Sequence, residues 1–242
     1  MKKSFQMSLL LTFLFAMTFL EGHCGGKSFE EKEMTDQRIE EMIQTLVDYG
    51  IQSAAVLDAM RKVRRHEFIP LAFRDMAKAY GDHPCSIGYG QTISQPYIVA
   101  YMTEKVNPQL GEKILEIGTG SGYQAAVLAQ MGAKVFSIEI VPQLAAHADE
   151  VLKKQSYPVM VRHGDGYLGW PEFAPFDVVI VTCAPEKIPE KLVEQLKIGG
   201  RMIIPVGPVN SVQKLLVIRK TKDGTSVEED LPVRFVPMVT DR

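Results

Sequence analysis

The 242-residue chain has 46% hydrophobic and 23% charged residues, which is typical of a globular protein, and its length predicts one domain. Its 27 Lys and Arg against 29 Asp and Glu give a formal net charge of −2, so bulk charge favours neither nucleic acid nor an anionic membrane as the partner. The three cysteines form no C-x-x-C pair, and the five histidines never fall three or four residues apart. The sequence therefore predicts neither a metal site nor a disulfide framework.

The amino-terminal segment has the features of an export signal. Two lysines precede an uncharged apolar run over residues 7–20, which is too short to cross a bilayer but has the length of a signal-peptide core. Small residues follow, so cleavage is expected after Cys24. Residues 1–24 are thus predicted as a signal-like segment ahead of a single domain over residues 28–242. Met34 is a second candidate start.

Three helices are predicted at the beginning of this domain. Apolar residues at helical spacing follow Thr35 and Asp36, both good helix caps, and continue until Gly50. A second helix is expected over residues 54–63, and a short third one over residues 72–79.

Beyond residue 110, short apolar strands alternate with helical stretches, which predicts a parallel sheet covered on both faces. The predicted strands are residues 113–117, 134–139, 158–162, 176–181 and 201–205. Two more, 213–219 and 233–236, flank a turn and predict a final antiparallel pair. The expected fold class is α/β: a doubly wound, mostly parallel, Rossmann-like sheet with an N-terminal helical segment and a C-terminal antiparallel strand pair.

The first predicted strand runs directly into three alternating glycines, Gly118, Gly120 and Gly122, and then into a helix. Glycines let the backbone pass close beneath a ligand. A dinucleotide loop has its third glycine one residue later, where Tyr123 stands, so this loop is poorly matched to a pyrophosphate. The amides that begin the helix can instead receive a carboxylate, such as the methionine end of S-adenosylmethionine, which the helix dipole favours by about 0.3–1 kcal/mol.

Acidic residues stand near the ends of successive predicted strands. Glu139 ends the second strand, where a carboxylate can accept both ribose hydroxyls of a nucleoside. Asp165, followed by Gly166, comes after the third strand and either receives an adenine amino group or only makes a turn. Glu116 lies beside the glycine loop and is either a cofactor ligand or a brace for the glycine amides. Together these features predict a nucleoside-bearing cofactor at the carboxyl edge of the sheet.

A turn-rich stretch over residues 87–97 precedes the cofactor unit. It leads into a helix that Pro96 is expected to start at its first position. Ser94 therefore stands at a helix amino terminus, and its spacing alone favours a simple N-cap contributing about 1 kcal/mol.

Motifs between residues 35 and 237 match one enzyme family. They are R-H-E-F-I-P (65–70), G-Y-G-Q-T-I-S-Q-P (88–96), L-E-I-G-T-G-S-G-Y (115–123), G-D-G (164–166), G-W-P-E (169–172), F-D (176–177) and the glycine-rich stretch 199–207. On these motifs the chain resembles the protein-L-isoaspartate O-methyltransferases. The string G-Q-T-I-S-Q-P over residues 90–96 is far more specific than a glycine loop.

The resemblance implies methyl transfer from S-adenosylmethionine, which leaves S-adenosylhomocysteine, to the free α-carboxylate of L-isoaspartyl residues in damaged proteins. The resulting ester collapses to a succinimide. Ser94 matches the residue taken as catalytic in the family. The expected cofactor-binding residues are Thr92, Ile93, Glu116, Gly118, Gly120, Gly122, Glu139, Asp165 and Gly166. No metal is expected.

The chain departs from the family pattern at a few positions. Arg64 stands where Pro is usual, Cys85 where Leu is common and Cys183 where Ala is common. None of these is a matched ligand position, although the charge at Arg64 could alter the docking of substrate peptides.

The resemblance also implies isoaspartyl-containing proteins and peptides as partners. The near-neutral charge predicts no nucleic-acid partner, and a monomer is expected. Cofactor supply slightly favours the cytoplasm over periplasmic export. Three other functions stay open: a methyltransferase of this fold acting on RNA, a nicotinamide oxidoreductase and an exported binding protein without catalysis. The near-neutral charge and the Ser94 motif oppose the first, Tyr123 opposes the second, and the signal-like segment favours the third.

Overall fold

The structure is a computed structural model that describes residues 31–209 and 211–240. The chain divides into two units, one that ends at Glu41 and one that begins at Met42. In the first unit the described residues 31–41 are helical, and the Thr35 hydroxyl donates a hydrogen bond to the Glu31 carbonyl at 2.8 Å. Because a hydroxyl bonded four residues back lies inside a helix, the predicted cap at Thr35 is wrong.

Two sequence predictions concern regions that the structure does not test. The signal-like segment 1–24 lies outside the described residues. The single domain over residues 28–242 stays a prediction.

Within the described residues the helices have the following bounds: α1 (31–48), α2 (Ala54–Lys62), α3 (Pro96–Val106), α4 (Tyr123–Gln130), α5 (Pro142–Lys154) and α6 (Glu190–Glu194). Helix α2 is close to its predicted range. The Ser53 hydroxyl caps it by accepting from the Val56 amide at 3.4 Å.

The third predicted helix, residues 72–79, is wrong. Short 3-10 turns occupy Arg65–Phe68 and Leu71–Phe73, and non-helical turns follow. The Ala77 amide donates to Asp75 Oδ1 at 2.9 Å. An aspartate that binds a nearby amide in this way competes with helical hydrogen bonding, and this explains why no helix continues here.

A small antiparallel hairpin follows these turns. It consists of β1 (Cys85–Gly88) and β2 (Gln91–Ile93), and it pairs Cys85 with Ile93. The sequence predicts only turns in this stretch because strands of this length are too short to show alternation.

Helix α3 begins directly after the hairpin. Pro96 occupies its first turn, as predicted, but the N-cap residue is Gln95. Ser94 lies one residue earlier, so its interpretation as an N-cap is wrong.

A seven-stranded sheet forms the rest of the unit. Its strands are β3 (Lys113–Ile117), β4 (Lys134–Glu139), β5 (Val159–His163), β6 (Phe176–Val181), β7 (Leu196–Val206), β8 (Gln213–Thr221) and β9 (Gly224–Val233), in the order β5-β4-β3-β6-β7-β8-β9. Neighbours from β5 to β7 are parallel, and β7–β8 and β8–β9 are antiparallel. This confirms the predicted α/β class. After β3, the strands β4 and β5 are added on one side of β3 and the strands from β6 onward on the other, so the direction of strand addition reverses between β3 and β6.

The last strand is misplaced in the sequence prediction. β9 covers Gly224–Val233, whereas residues 234–236 form no strand. β9 is an edge strand whose middle is acidic and exposed, with Glu228 and Glu229. Because edge strands tolerate charged residues that would be excluded from the centre of a sheet, hydrophobic patterning does not detect it.

The core lies on the central parallel strands. Leu115, Phe176, Val179 and Met202 are fully buried. Such burial on both faces explains the nearly continuous apolar runs of these strands. Within the described part of the chain, no helix is long and apolar enough to cross a membrane.

Candidate functional site

A cleft opens at the carboxyl ends of the central strands, where the direction of strand addition changes. Ligands in open α/β sheets bind at this kind of switch point. The lining comes from residues 91–94, Val99, residues 117–121, Tyr123, Gln124, residues 138–141, Gly166, Thr182, Cys183 and residues 236–239. The cleft thus joins the predicted cofactor strands to the segment that contains Ser94.

The glycine loop forms one wall of the cleft. Gly118 and Gly120 line the cleft and have φ angles of +93° and +53°. A Cβ on Gly118 would lie 2.6 Å from Thr182 Oγ1, so only glycine fits there. Gly122 instead begins α4, and a Cβ there would lie 3.2 Å from the Leu152 side chain.

Glu139 ties the end of β4 to the glycine loop. One carboxylate oxygen, Oε2, accepts from the Gly120 amide at 2.8 Å, and Oε1 accepts from the Val141 amide at 2.9 Å. An ionised carboxylate has about four lone-pair sites, so both oxygens can accept further hydrogen bonds. Glu139 lines the cleft and can therefore brace the loop while it binds a diol.

Glu116 is buried beneath the cleft and does not line it. Ser137 Oγ donates a short hydrogen bond to Glu116 Oε2, and the Ser137 hydroxyl lies 2.6 Å from Thr119 Oγ1. Among the described residues, Glu116 Oε1 has no hydrogen-bond partner and no glycine amide donates to this side chain. Burial raises the pKa of Glu116 to about 8, and the charge of Glu139 adds to the rise while the Ser137 bond opposes it.

Asp165 makes a turn beside the cleft. Its Oδ1 accepts from the Tyr167 amide at 2.8 Å and caps the 3-10 turn Gly166–Leu168. Gly166 is buried and lines the cleft. A Cβ on Gly166 would collide with Ile117 Cγ2 and lie 3.2 Å from Met238 Cε. The backbone at Gly166 therefore packs closely against the Ile117 and Met238 side chains where it lines the cleft.

The segment Thr92-Ile93-Ser94 forms the opposite wall. Ile93 is buried, Ser94 is half-buried and Thr92 is exposed, and all three line the cleft. Within residues 31–209 and 211–240 no group hydrogen-bonds to the Ser94 hydroxyl. It can therefore donate to a ligand.

Two further parts of the lining are not predicted from the sequence. Thr182 and Cys183 follow β6, and Thr182 Oγ1 donates to the Gly118 carbonyl at 2.6 Å. Burial raises the pKa of the Cys183 thiol, and the charges of Glu139 and Glu116 add to this. The sequence contains one signal that could have indicated Thr182 and Cys183: the predicted strand 176–181 ends directly before them.

The second unpredicted part is the segment 236–239, which follows the last strand. The Ala184 amide donates to the Val236 carbonyl at 2.8 Å, and the Met238 amide donates to the Ala184 carbonyl at 2.9 Å. These bonds fasten the segment alongside the end of β6, where it lines the cleft. Its pattern of residues gives no sign of this position.

The cleft has the chemistry of a nucleoside site. Glu139 offers acceptors for hydroxyl groups, the first turn of α4 offers amides for a carboxylate, and Ile138 and Ile140 give apolar walls. In the part of the chain that the structure describes, no three His, Cys, Asp or Glu side chains form a group that could hold a metal ion.

Comparisons with known proteins agree with this geometry. Residues 37–242 match the profile of the Protein-L-isoaspartate(D-aspartate) O-methyltransferase family. A relative from Gloeobacter violaceus named Protein-L-isoaspartate O-methyltransferase is 52% identical over 194 residues, which cover 80% of this chain and 94% of the relative. A relative of the same name from Opitutus terrae is 49% identical over 213 residues, covering 88% and 91%.

Two solved structures share the fold. One, a protein-L-isoaspartate O-methyltransferase, aligns with a TM-score of 0.75 and 30% identity over 82% of this chain and 65% of its own, slightly under two thirds of that longer chain. The other comes from Plasmodium falciparum, is described as an enzyme of the same name and was crystallised with S-adenosyl-L-homocysteine. It aligns with a TM-score of 0.73 and 26% identity over 83% of this chain and 98% of its own.

Proposed function

Because the chain belongs to the protein-L-isoaspartate(D-aspartate) O-methyltransferase family, we propose that its cleft holds S-adenosylmethionine and that Ser94 positions the carboxylate that is methylated. The chain is an S-adenosylmethionine-dependent protein-L-isoaspartate O-methyltransferase. It methylates the free α-carboxylate of L-isoaspartyl residues in damaged proteins and so initiates repair through a succinimide. One observation carries the residue assignment: the motif over residues 91–96 contributes a wall to the same cleft as the glycine loop.

The proposed cofactor contacts follow from the lining of the cleft. Glu139 accepts the ribose hydroxyls, and its bonds to the Gly120 and Val141 amides hold it ready to do so. The amides that begin α4 receive the methionine carboxylate. Gly166 lies at the adenine end, and Asp165 uses the oxygen that does not cap the turn for the adenine amino group.

The remaining predicted residues act from the walls or from below. Thr92 and Ile93 contact the cofactor from the hairpin, and Gly118 and Gly120 contact it from the loop. Gly122 acts indirectly, by starting α4. We assign Glu116 to the support of the loop through Ser137 and Thr119, because it does not line the cleft.

The reaction requires alignment rather than a general base. An α-carboxylate has a pKa of about 3.5 and is already ionised at neutral pH, so no residue has to remove a proton from it. The bound cofactor supplies an electrophilic methyl group. Holding the carboxylate oxygen in line with that group can contribute roughly 7–11 kcal/mol to catalysis. The Ser94 hydroxyl provides this alignment by donating a hydrogen bond to the substrate carboxylate.

The test uses the full chain with labelled S-adenosylmethionine and two peptides that differ only in an isoaspartyl or a normal aspartyl linkage. We expect base-labile label on the isoaspartyl peptide alone, because the product is a methyl ester. Equal labelling of the two peptides, or no labelling, would contradict the assigned activity. Adding an RNA duplex to the same assay tests the alternative acceptor, and we expect no methylation of it.

We propose that the enzyme works as a monomer in the cytoplasm, where its cofactor is made, and that periplasmic export through residues 1–24 is the alternative. A reporter enzyme fused after residue 30 separates the two. Reporter activity on the cytoplasmic side is expected, whereas activity restricted to the periplasm would reverse the assignment. Light scattering of the purified chain tests the monomer.

A further inference from the structure

The loop before the hairpin contains an aspartate that holds the residues next to Ser94. Asp82 Oδ1 accepts from the Tyr97 backbone amide at 2.8 Å, and Asp82 Oδ2 accepts from Gln95 Nε2 at 2.7 Å. Each oxygen of this half-buried carboxylate therefore accepts one hydrogen bond, one from Gln95, which follows Ser94, and one from Tyr97, which follows Pro96. We propose that Asp82 is a positioning residue for methyl transfer, which fixes Ser94 against the substrate carboxylate.

Helix α3 has no capping side chain of its own. Its N-cap residue, Gln95, makes no side-chain bond to the helix amides, and Pro96 has no amide hydrogen. The Tyr97 amide is the kind of unpaired donor that an N-cap side chain normally satisfies. Asp82 takes that role from outside the helix, and its negative charge suits the positive end of the helix dipole.

Ser94 is thereby placed between two fixed points. On its amino-terminal side, Ile93 is buried and pairs with Cys85 in the hairpin. On its carboxyl-terminal side, Gln95 is held through its side chain by Asp82. Since nothing in the described chain bonds the Ser94 hydroxyl itself, its place depends on these backbone neighbours.

Asp82 does not line the cleft, so the cofactor is held without it. A positioning role therefore predicts a defect in turnover and not in cofactor affinity. The inference rests on the proposed role of Ser94, and Ser94→Ala is measured in parallel to keep the two ideas separable.

The experiment compares the full-length wild type with Asp82→Ala and Asp82→Asn. Asp75→Ala is the matched control, because Asp75 also accepts from a backbone amide in the same region but contacts only its own turn. We measure kcat and KM for an isoaspartyl peptide, the Kd for S-adenosylhomocysteine by calorimetry, and the melting temperature.

Asp82→Ala is expected to lower kcat by about 10- to 100-fold, because displacements on the order of 1 Å have effects of this size, and to leave the Kd within about twofold. Asp82→Asn should recover most of kcat, since its amide can accept from the Tyr97 amide and donate to a flipped Gln95 amide. Asp75→Ala should match the wild type. If Asp82→Ala does not fold, Gln95→Ala removes one of the two bonds and should still lower kcat severalfold at unchanged Kd.

Unchanged kcat in Asp82→Ala, or in Gln95→Ala where that variant stands in for it, overturns the inference. The inference is also overturned if S-adenosylhomocysteine affinity falls together with kcat, because that result indicates general structural damage. It is overturned as well if Asp82→Asn does not restore turnover. If Ser94→Ala is impaired while Asp82→Ala is not, the inference alone fails. Full activity in Ser94→Ala removes the proposed role of Ser94 and the inference with it.

Discussion

The Glu139 carboxylate accepts a hydrogen bond from the Gly120 amide at 2.8 Å, and this bond joins the end of one central strand to the glycine loop that follows its neighbour. The other carboxylate oxygen holds the Val141 amide at 2.9 Å. A single buried side chain thus shapes two sides of the cleft before any ligand enters. Its removal should affect both the position of the glycine loop and the proposed contact with the ribose.

Glu139→Ala is expected to weaken binding of S-adenosylhomocysteine by at least about 10-fold, since a hydrogen bond to a charged group contributes about 1.5–3 kcal/mol. Titration calorimetry measures the change. Glu139→Gln should lie between the wild type and Ala, because one of its two side-chain atoms can still accept. Glu150→Gln, an exposed change on α5, is the control and should bind as the wild type does. Normal affinity in Glu139→Ala would exclude a ribose contact.

Ser94→Ala tests the alignment of the substrate. The loss of a hydrogen bond to the substrate carboxylate should lower kcat/KM for an isoaspartyl peptide by roughly 10- to 150-fold, which corresponds to about 1.5–3 kcal/mol. Affinity for S-adenosylhomocysteine should not change. Ser226→Ala, an exposed serine on β9, should keep full activity. The assignment of Ser94 is contradicted if its Ala variant retains the wild-type kcat/KM.

The sequence predicts the central strands well because strands that are buried on both faces appear in the sequence as short apolar runs. β3, β4 and β6 lie at their predicted bounds, and at least half of the residues in each strand are apolar. The sequence fails where other forces decide the structure. At Asp75 a side-chain bond to the backbone replaces the predicted helix, and β9 is an acidic edge strand without an apolar face.

The same contrast holds for the site. The glycine loop and Glu139 are predictable because each combines a distinctive residue type, alternating glycines or a carboxylate, with a position at the end of a strand that the sequence reveals. Thr182 reaches the cleft only because β6 lies next to β3, and the segment 236–239 reaches it by bonding to Ala184. Both facts depend on which distant strands become neighbours, and local patterning does not contain that information. The hydrogen bonds of Asp82 to Gln95 and Tyr97 are non-local in the same way.

Glu116 should make the stability of the protein depend on pH. Its pKa is raised from the ordinary 4.5 to about 8 by burial, so the folded state binds one more proton than the unfolded state between these values. The contribution of Glu116 to the free energy of unfolding is therefore fully present below pH 4.5 and is lost as the pH rises through about 8. Glu116→Gln stays neutral and should lack this loss.

Urea unfolding at about pH 5.5 and about pH 8.5 measures the effect. The wild type should lose stability relative to Glu116→Gln on going from the lower to the higher pH. Glu150→Gln should follow the wild type at both, because that side chain is exposed. Parallel behaviour of the wild type and Glu116→Gln would show that Glu116 does not titrate in this interval.

The two glycines of the Gly164-Asp165-Gly166 motif should differ sharply in their tolerance of alanine. A Cβ on Gly166 would collide with Ile117 Cγ2 and lie 3.2 Å from Met238 Cε, whereas a Cβ on Gly164 would have Arg162 Nε at 3.7 Å as its nearest neighbour. Gly166→Ala should therefore lower the free energy of unfolding by about 1–3 kcal/mol and weaken S-adenosylhomocysteine binding, because Gly166 also lines the cleft. Gly164→Ala should leave both nearly unchanged. Urea unfolding and calorimetry on the two variants measure these effects, and equal behaviour of the pair would contradict the close backbone approach at Gly166.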